Sequence, residues 1–441
     1  MQLSPQNRQQ LGQLYRALAD KVLMPGDVNY LPALHQQGGV DVMAELATEI
    51  EFQDGGSVGV FTGQRGTGKS TELRRLEAML KDAGCSVVCV DMSEYMFMYK
   101  PVEVSDFLVS LCGAFSDAIE KLCGGWGPGQ TGYWERFQNF LNSKVELKEL
   151  GASLSGVDIK ATLRTDLLFK QRLQDGARSH VVQLIQDAHA FFADAVKQLR
   201  IQQGDLQRKV VLIVDSVERL RGDGSEANEM AVYESVRTLF FGHAESLRLP
   251  ELHVVYTVPP YMSVLAAGPG LLMGGAVTRR IYTTHIFKDR TREEDPAGLA
   301  LMRQVVALRH PDWSQLIQAD ALNRLAVSSG GDLREFFRLI RYCLPTVRDD
   351  SQLPLSKQAV AVAENQARTE MLPIPDEYLS WLQRISKSHA AELAVESHLP
   401  TLARFLDGRL VLIYRNGDDW YDIHPLLRGI VDAHVPSAAD A

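Results

Sequence analysis

Runs of apolar residues alternate with segments of helical spacing along most of the chain. Five runs rich in Val and Ile predict β-strands that are covered on both faces, because neither face of such a run is polar. They are VGVFT (58–62), SVVCVDM (86–92), KVVLIVD (209–215), LHVVYTV (252–258) and RIYTTHIF (280–287). Strands that alternate with helices are typical of an α/β layer fold, so we predict a mostly parallel sheet.

The segments around these runs place apolar residues at helical spacing. Ser4 and Pro5 predict the N-cap and the first residue of an opening helix, where proline removes no useful hydrogen bond. Further helices are predicted at about 40–50, 69–83, 103–122, 166–202 and 230–247.

Two regions depart from this alternation. More than one hundred residues separate the second strand from the third, far beyond a normal crossover, and within them 145–164 predicts a β-hairpin around Ser155-Gly156. Near the end, two apolar runs flank Asn416-Gly417, a strong hairpin signal. The predicted domains are an N-terminal helix and loop (1–30), a core (31–290) with an insertion at about 124–205, a helical domain (291–350) and a C-terminal domain (351–441).

Composition narrows the class of protein. The 441 residues carry a net charge of −9, which argues against non-specific nucleic-acid binding. The five cysteines form no CxxC pair, and Cys85 and Cys89 lie in an apolar run, so buried free thiols are expected. The polar amino terminus and the absence of a long apolar run predict a cytoplasmic protein without a membrane segment.

The strongest motif is GQRGTGKS, which satisfies GxxxxGK[ST] between a predicted strand and a predicted helix. Glycines let the backbone N–H groups surround phosphate oxygens at a helix amino terminus. We predict that Lys69 reaches the β- and γ-phosphates of ATP and that Ser70 binds Mg²⁺. The predicted nucleotide ligands are Gly63, Gln64, Arg65, Gly66, Thr67, Gly68, Lys69, Ser70 and Thr71.

A second carboxylate is needed to hold the metal, and Asp215 supplies it at the end of the third strand, beside the phosphate loop. The general base is less clearly marked. Ser216 stands where many ATPases have Glu, which leaves Glu218, three residues after Asp215, and Glu94, after the second strand, as candidates. A base must first reach the attacking water, and we favour Glu218.

With these residues in view, the chain resembles the AAA+ ATPases, particularly origin-recognition-type initiators and STAND signalling ATPases. The resemblance implies that Thr257, at the end of the fourth strand, senses the γ-phosphate. It also implies a lid arginine within a Gly-Asp-x-Arg stretch. SSGGDLREFF matches with Arg334, and Asp332 is predicted to cap that helix.

The resemblance extends to weaker positions. Arg279 and Arg280 stand near where family members present an arginine finger to a neighbouring subunit, although a plain basic strand edge explains them equally well. Tyr30 falls where the family packs adenine. The last ninety residues resemble a winged helix whose wing tip is NGDD. The net charge of residues 351–441 is −4, which favours protein docking over DNA binding. His424 is interpreted as a structural histidine.

Two functions follow from this interpretation. The first is an ATP-dependent regulatory switch, expected to assemble with itself and with a partner effector protein, as in bacterial defence or mobile-element systems. The second is a DNA-loading ATPase of the initiator or transposition-regulator type, in which Lys144, Lys148, Lys160 and Arg164 would contact the DNA backbone. Acidic residues interleave with these cations, which favours a mixed solvated face.

Overall fold

The computed structural model describes residues 2–36, 40–123, 159–177, 180–264, 278–393 and 398–435. The chain forms two compact units. The first consists of Met1–Val42, Gly63–Arg74 and Arg280–Ala441, and the second of Met43–Thr62 and Arg75–Arg279. The four-part division predicted from the sequence stays a prediction.

Five strands form one sheet in the order β2-β3-β4-β1-β5. They are β1 (Ser57–Gly63), β2 (Ser86–Asp91), β3 (Val210–Asp215), β4 (His253–Val258) and β5 (Thr278–Ile281). The pairs β1–β4, β4–β3 and β3–β2 are all parallel, which confirms the predicted parallel sheet. Because β4 lies between β1 and β3, the strand that ends in Asp215 is not the direct neighbour of β1.

Helices occupy most of the predicted positions. They are α1 (Pro5–Ala17), α2 (Val42–Phe52), α3 (Lys69–Asp82), α4 (Val104–Cys123), α5 (Ile159–Thr165), α6 (Leu167–Ala177), α7 (Val181–Gln202), α8 (Glu226–Arg237), α9 (Pro296–Arg309), α10 (Ala319–Ser328), α11 (Leu333–Cys343), α12 (Ala361–Glu370), α13 (Asp376–Ser388), α14 (Leu399–Asp407) and α15 (Arg428–Ala433). The predicted cap of α1 is confirmed, since Ser4 Oγ accepts from the Asn7 N–H.

The second unit is built around the sheet, and aromatic side chains fill its core. Phe107 on α4 lies 6.1 Å from Tyr256 on β4, and Phe115 lies 5.2 Å from Phe192 on α7, as measured between ring centroids. All four side chains are fully buried, as expected where helices cover a sheet.

The predicted insertion differs from the structure in two places. The second strand of the 145–164 hairpin is wrong, because Ile159–Thr165 is the helix α5; residues 145–158 lie outside the described part. Thr162 and Leu163 are buried while Arg164 is exposed, a pattern that a short helix satisfies as well as a strand. The single long helix predicted to end at Gln202 is also wrong, since α6 and α7 are separate helices.

In the first unit, one apolar core joins α1 to α9–α12 and to a hairpin of β6 (Val411–Asn416) and β7 (Asp418–Ile423). The antiparallel hairpin confirms the prediction, and Gly417 at its turn has φ +95°. Tyr414 and Trp420 stack across it with centroids 4.5 Å apart and are buried. The winged-helix assignment stays a prediction.

The fifth strand is shorter than the sequence predicted. It ends at Ile281 rather than at residue 287. The next residues bond elsewhere, because the Thr283 hydroxyl donates to Ile413 O at 3.1 Å and the Thr284 N–H donates to Gly331 O at 3.1 Å. Residues 283 and 284 therefore bond to the hairpin and to the Gly331 turn, and not to a strand of the sheet.

Cys85 lies directly before β2, and Cys89 lies within it. Cys85 is a buried free thiol and Cys89 is half-buried, and burial raises the pKa of Cys85 above its ordinary value. Among the helices of the described ranges, none combines the length and the apolar character needed to cross a bilayer.

Candidate nucleotide-binding site

The segment Gly63–Ser70 connects β1 to α3 in a tight loop. Gly66 and Gly68 have φ values of +100° and +95°, in the region that glycine adopts without steric cost. A Cβ atom at Gly68 would lie 3.2 Å from His35 Nε2, and one at Gly66 would lie 2.5 Å from the Asp332 carboxylate. Backbone conformation and close packing therefore both require glycine here.

Lys69 is the first residue of α3, and its side chain folds over the loop. It is buried, and its Nζ donates to Gly63 O at 2.8 Å and to Gln64 O at 3.2 Å. The Thr67 hydroxyl also donates to Gln64 O, at 2.8 Å. An ammonium group has three donors on a flexible stem, so Lys69 Nζ can donate to a phosphate oxygen in exchange for one of these carbonyl oxygens.

The other predicted ligands lie on either side of Lys69. Ser70 is half-buried in the first turn of α3, and Arg65 is exposed. Thr71 Oγ1 accepts a hydrogen bond from the Leu23 N–H at 3.2 Å, so this hydroxyl holds the N-terminal segment. The amino end of α3 therefore presents N–H groups and one hydroxyl, which suits an anion with its counter-ion.

The N-terminal segment packs on the same turn of α3. The Tyr30 hydroxyl donates to Glu72 Oε1 at 2.6 Å, and His35 Nε2 lies 3.9 Å from that oxygen. Glu72 is only 1% exposed. Tyr30, predicted to pack adenine, thus lies beside the phosphate loop through its contact with α3.

Arg334, the predicted lid arginine, lies in the first turn of α11. Its Nε is 2.6 Å from Asp20 Oδ2, and its side chain is 35% exposed. The cap of this helix is confirmed, because the Asp332 carboxylate accepts from the Glu335 N–H at 2.7 Å.

The start of α11 also carries two buried acids. Asp332 and Glu335 are both 0% exposed, and Arg409 Nη1 lies 3.4 Å from the first carboxylate and 3.2 Å from the second. Arg338 donates twice to Glu335, at 2.9 and 2.6 Å. Buried carboxylates need such paired and hydrogen-bonded cations, since an unpaired buried charge is strongly destabilising.

In the second unit, two aspartates end neighbouring strands. Asp91 of β2 is in register with Asp215 of β3. The Asp91 carboxylate accepts hydrogen bonds from the Ser93 N–H at 2.9 Å and from the Ser93 hydroxyl at 2.6 Å. Asp91 therefore caps the following turn. Asp215 Oδ1 accepts from the Ser216 N–H at 2.7 Å. Ser216 has φ +71°, a left-handed conformation that non-glycine residues rarely adopt.

Thr257 links β4 to the turn that follows Asp215. Its Oγ1 accepts from the Val217 N–H and donates to Val214 O, both at 3.2 Å, and the side chain is fully buried. Glu218 lies half-buried in that turn, whereas Glu94 is exposed in the turn after β2.

Arg279 and Arg280 are both held in ion pairs within their own units. Arg279 Nη2 lies 2.6 Å from Glu49 Oε2, and Arg280 Nη1 donates to Asp419 Oδ2 at 2.5 Å. Their side chains are 14% and 8% exposed. Presenting either arginine to a neighbouring subunit would require that pair to open.

Several contacts at the loop had no clear sequence signal. His35 stands in a loop without a motif, and Arg409 lies more than three hundred residues after Gly66. Glu72 was detectable in principle, because the buried Leu76 and Leu80 follow it by four and eight residues on the same face of α3. A carboxylate on such a face needs a partner, and Tyr30 is one such partner.

Several solved structures are similar to this chain. The ORC2 protein of Aeropyrum pernix, in ADPNP-ADP complexes, has a TM-score of 0.42 and 11% identity, covering 95% of this chain and 98% of that chain. The Walker-type ATPase of Pyrococcus abyssi has a TM-score of 0.39 and 14% identity, covering 92% of this chain and 99% of that chain. A RuvB mutant of Thermotoga maritima has a TM-score of 0.37 and 13% identity, covering 94% of this chain and 100% of that chain. No protein-family model matches this chain, and no curated protein matches it.

The fold class rests on the chain's own topology. A glycine-rich loop follows β1, α3 begins at the loop lysine, and β4 separates β1 from the strand that ends in Asp215. This is the fold of P-loop ATPases, with ligand-binding loops at the carboxyl ends of parallel strands.

Proposed function

We propose that the chain binds and hydrolyses ATP with Mg²⁺ and acts as an AAA+/STAND-like regulatory switch. The observation that carries this proposal is the Gly63–Ser70 loop, whose two left-handed glycines and buried Lys69 lie at a helix amino terminus, an arrangement that suits an anion. Its donor groups suit phosphate, and the oxygen atoms of Ser70 and Asp215 suit a hard cation such as Mg²⁺. The bound metal would neutralise charge that develops on the phosphates.

For hydrolysis we propose Glu218 as the general base. It lies in the turn directly after β3, and the strained Ser216 backbone and the Thr257 hydroxyl fix where that turn begins. Glu94 is the alternative. Replacing each by Gln while measuring phosphate release separates them: loss of turnover with retained ATP binding identifies the base.

The switch requires that ATP contact two elements differently in two states. We propose that Arg334 exchanges Asp20 for the γ-phosphate, with Thr257 as a second sensor of that phosphate. Assembly with further copies through Arg279 or Arg280, and with a partner protein in a bacterial defence or mobile-element setting, is proposed from the family resemblance. The acidic hairpin tip Asp418-Asp419 supports protein docking there.

Light scattering with and without MgATP, combined with phosphate release, tests this function. We expect wild type to assemble and turn over in ATP, and Lys69→Ala to do neither. Lys81→Ala is a matched control, because Lys81 is on the same helix and its side chain is 47% exposed. A wild-type protein that binds ATP but neither assembles nor hydrolyses it would contradict the self-assembling switch.

A further inference from the structure

The outer edge of strand β6 carries backbone groups that β7 does not use. The His424 N–H donates to Leu410 O at 2.8 Å, which sets the bonding register of the hairpin. In an antiparallel pair, alternate residues direct their N–H and C=O groups toward the partner strand, so Val411 and Ile413 direct theirs outward. Within the described ranges, β7 is the only strand paired with β6.

The side chain of Gln64, in the phosphate loop, occupies that edge. Its Nε2 donates to Val411 O at 2.7 Å and to Leu406 O at 3.3 Å, and its Oε1 accepts from the Ile413 N–H at 2.7 Å. Two carbonyl acceptors and one N–H donor fix which end of the carboxamide is nitrogen. Gln64 is 2% exposed, so these bonds are shielded from water.

A carboxamide has the same donor and acceptor as a peptide group. Gln64 therefore bonds to Val411 and Ile413 as a residue of a neighbouring strand would, and we name this contact the Gln64 bridge. Removing it would leave the Val411 C=O and the Ile413 N–H buried without these partners, which costs more than an ordinary exposed hydrogen bond.

The main chain of the same residue holds the phosphate-binding groups. Gln64 O accepts from Lys69 Nζ at 3.2 Å and from the Thr67 hydroxyl at 2.8 Å. One residue thus binds the hairpin through its side chain and the loop lysine through its carbonyl oxygen. Displacing the hairpin edge moves the anchor of Lys69.

We propose that Gln64 is a positioning residue through which the β6–β7 hairpin and the phosphate loop are energetically linked. The bridge holds the loop in the form that accepts phosphate, and bound nucleotide in turn holds the hairpin edge. Linkage makes the two effects equal in magnitude. This inference rests on the proposed nucleotide binding and adds the hairpin as the element that responds to it.

The test compares Gln64→Met with Gln383→Met. Methionine keeps the length of the side chain and removes the carboxamide. Gln383 is a matched control, because its Nε2 also donates to backbone carbonyls of the C-terminal region, Val431 O at 3.4 Å and His434 O at 3.1 Å. We expect Gln64→Met to weaken ADPNP·Mg²⁺ binding by about tenfold and Gln383→Met to leave it within twofold of wild type.

Hydrogen exchange supplies a readout that a merely structural role would not move. In wild type, ADPNP should slow the amide hydrogen exchange of the 410–416 peptide. In Gln64→Met, saturating ADPNP should leave the exchange of that peptide unchanged. A folded Gln64→Met protein that binds ADPNP as wild type does would overturn the linkage.

Two further outcomes are informative. If Gln64→Met does not fold, unchanged exchange at 410–416 when wild type binds ADPNP overturns the inference, and slower exchange supports it. If wild type shows no Lys69-dependent nucleotide binding, the proposed function itself fails, and the linkage fails with it.

Discussion

The carboxylate of Asp332 lies against the backbone of Gly66, where an added Cβ would come within 2.5 Å of it. The phosphate loop and the cap of α11 are therefore in direct contact within the first unit.

Gly66→Ala should destabilise the protein and abolish tight ATP binding. The substitution forces a left-handed alanine, which costs about 1–2 kcal/mol, and drives a methyl group into the Asp332 carboxylate. Gly84→Ala is the control, since Gly84 has φ +85° and open space around its Cβ position. Urea unfolding should show a larger loss for Gly66→Ala than for Gly84→Ala, and equal losses would contradict the proposed contact.

Tyr30→Phe should lower the free energy of unfolding by about 1–3 kcal/mol, because the buried Glu72 carboxylate loses its 2.6 Å donor. Tyr15→Phe, at a 37% exposed site, should change it by less than about 0.5 kcal/mol. Chemical denaturation of both variants measures the difference. A Tyr30→Phe protein as stable as wild type would show that Glu72 does not depend on this hydroxyl.

Asp20→Asn should raise ATP affinity by about two- to fivefold, because it releases Arg334 from a partly exposed ion pair worth at most about 1 kcal/mol. Arg334→Gln should lower the affinity by about tenfold if the arginine binds the γ-phosphate. ADP binding should respond much less to either change. Arg248→Gln, at a 48% exposed arginine, provides the control. Weaker ATP binding by Asp20→Asn would contradict the exchange.

His424 provides a pH dependence. It is fully buried and accepts from the Leu426 N–H, and desolvation, together with Arg409, Arg338 and Arg428, lowers its pKa from 6.5 to about 3. The unfolded chain binds this proton first, so the stabilising contribution is complete above pH 6.5 and is lost as pH falls toward 3.

Replacing His424 by Asn keeps an acceptor for Leu426 and removes the titration. Between pH 4 and 6, the stability of His424→Asn should therefore depend less steeply on pH than that of wild type, by about 1.4 kcal/mol per pH unit. Unfolding curves across this range test it, with the exposed His180→Asn as control. An unchanged slope would mean that His424 titrates normally.

The sequence predicted the elements whose chemistry is local. The Gly66 and Gly68 conformations, the cap at Asp332 and the turn at Gly417 each follow from residue types within a few positions, and all are found. The position of β4 between β1 and β3 was not predictable in this way, because its apolar run resembles those of its neighbours. Residues 159–165 fit both periods, and packing decided for a helix.

Contacts between distant segments were beyond the sequence pattern. Nothing in GQRGTGKS indicates that the Gln64 side chain bonds to residues 406–413. Likewise, nothing around Arg280 indicates that it pairs with Asp419 instead of facing outward. Such partners depend on how the segments pack, and no period or spacing encodes that. The roles of Thr257, Glu218, Arg279 and Arg334 toward nucleotide therefore stay predictions.

Equilibrium binding of MgATP to wild type, Lys69→Ala and Lys81→Ala tests whether the Gly63–Ser70 loop binds nucleotide. We expect saturable binding by wild type and Lys81→Ala, and a loss of affinity of at least about a hundredfold in Lys69→Ala, because the loop then lacks its buried cation. Equal affinity in all three folded proteins, or none in wild type, would contradict it.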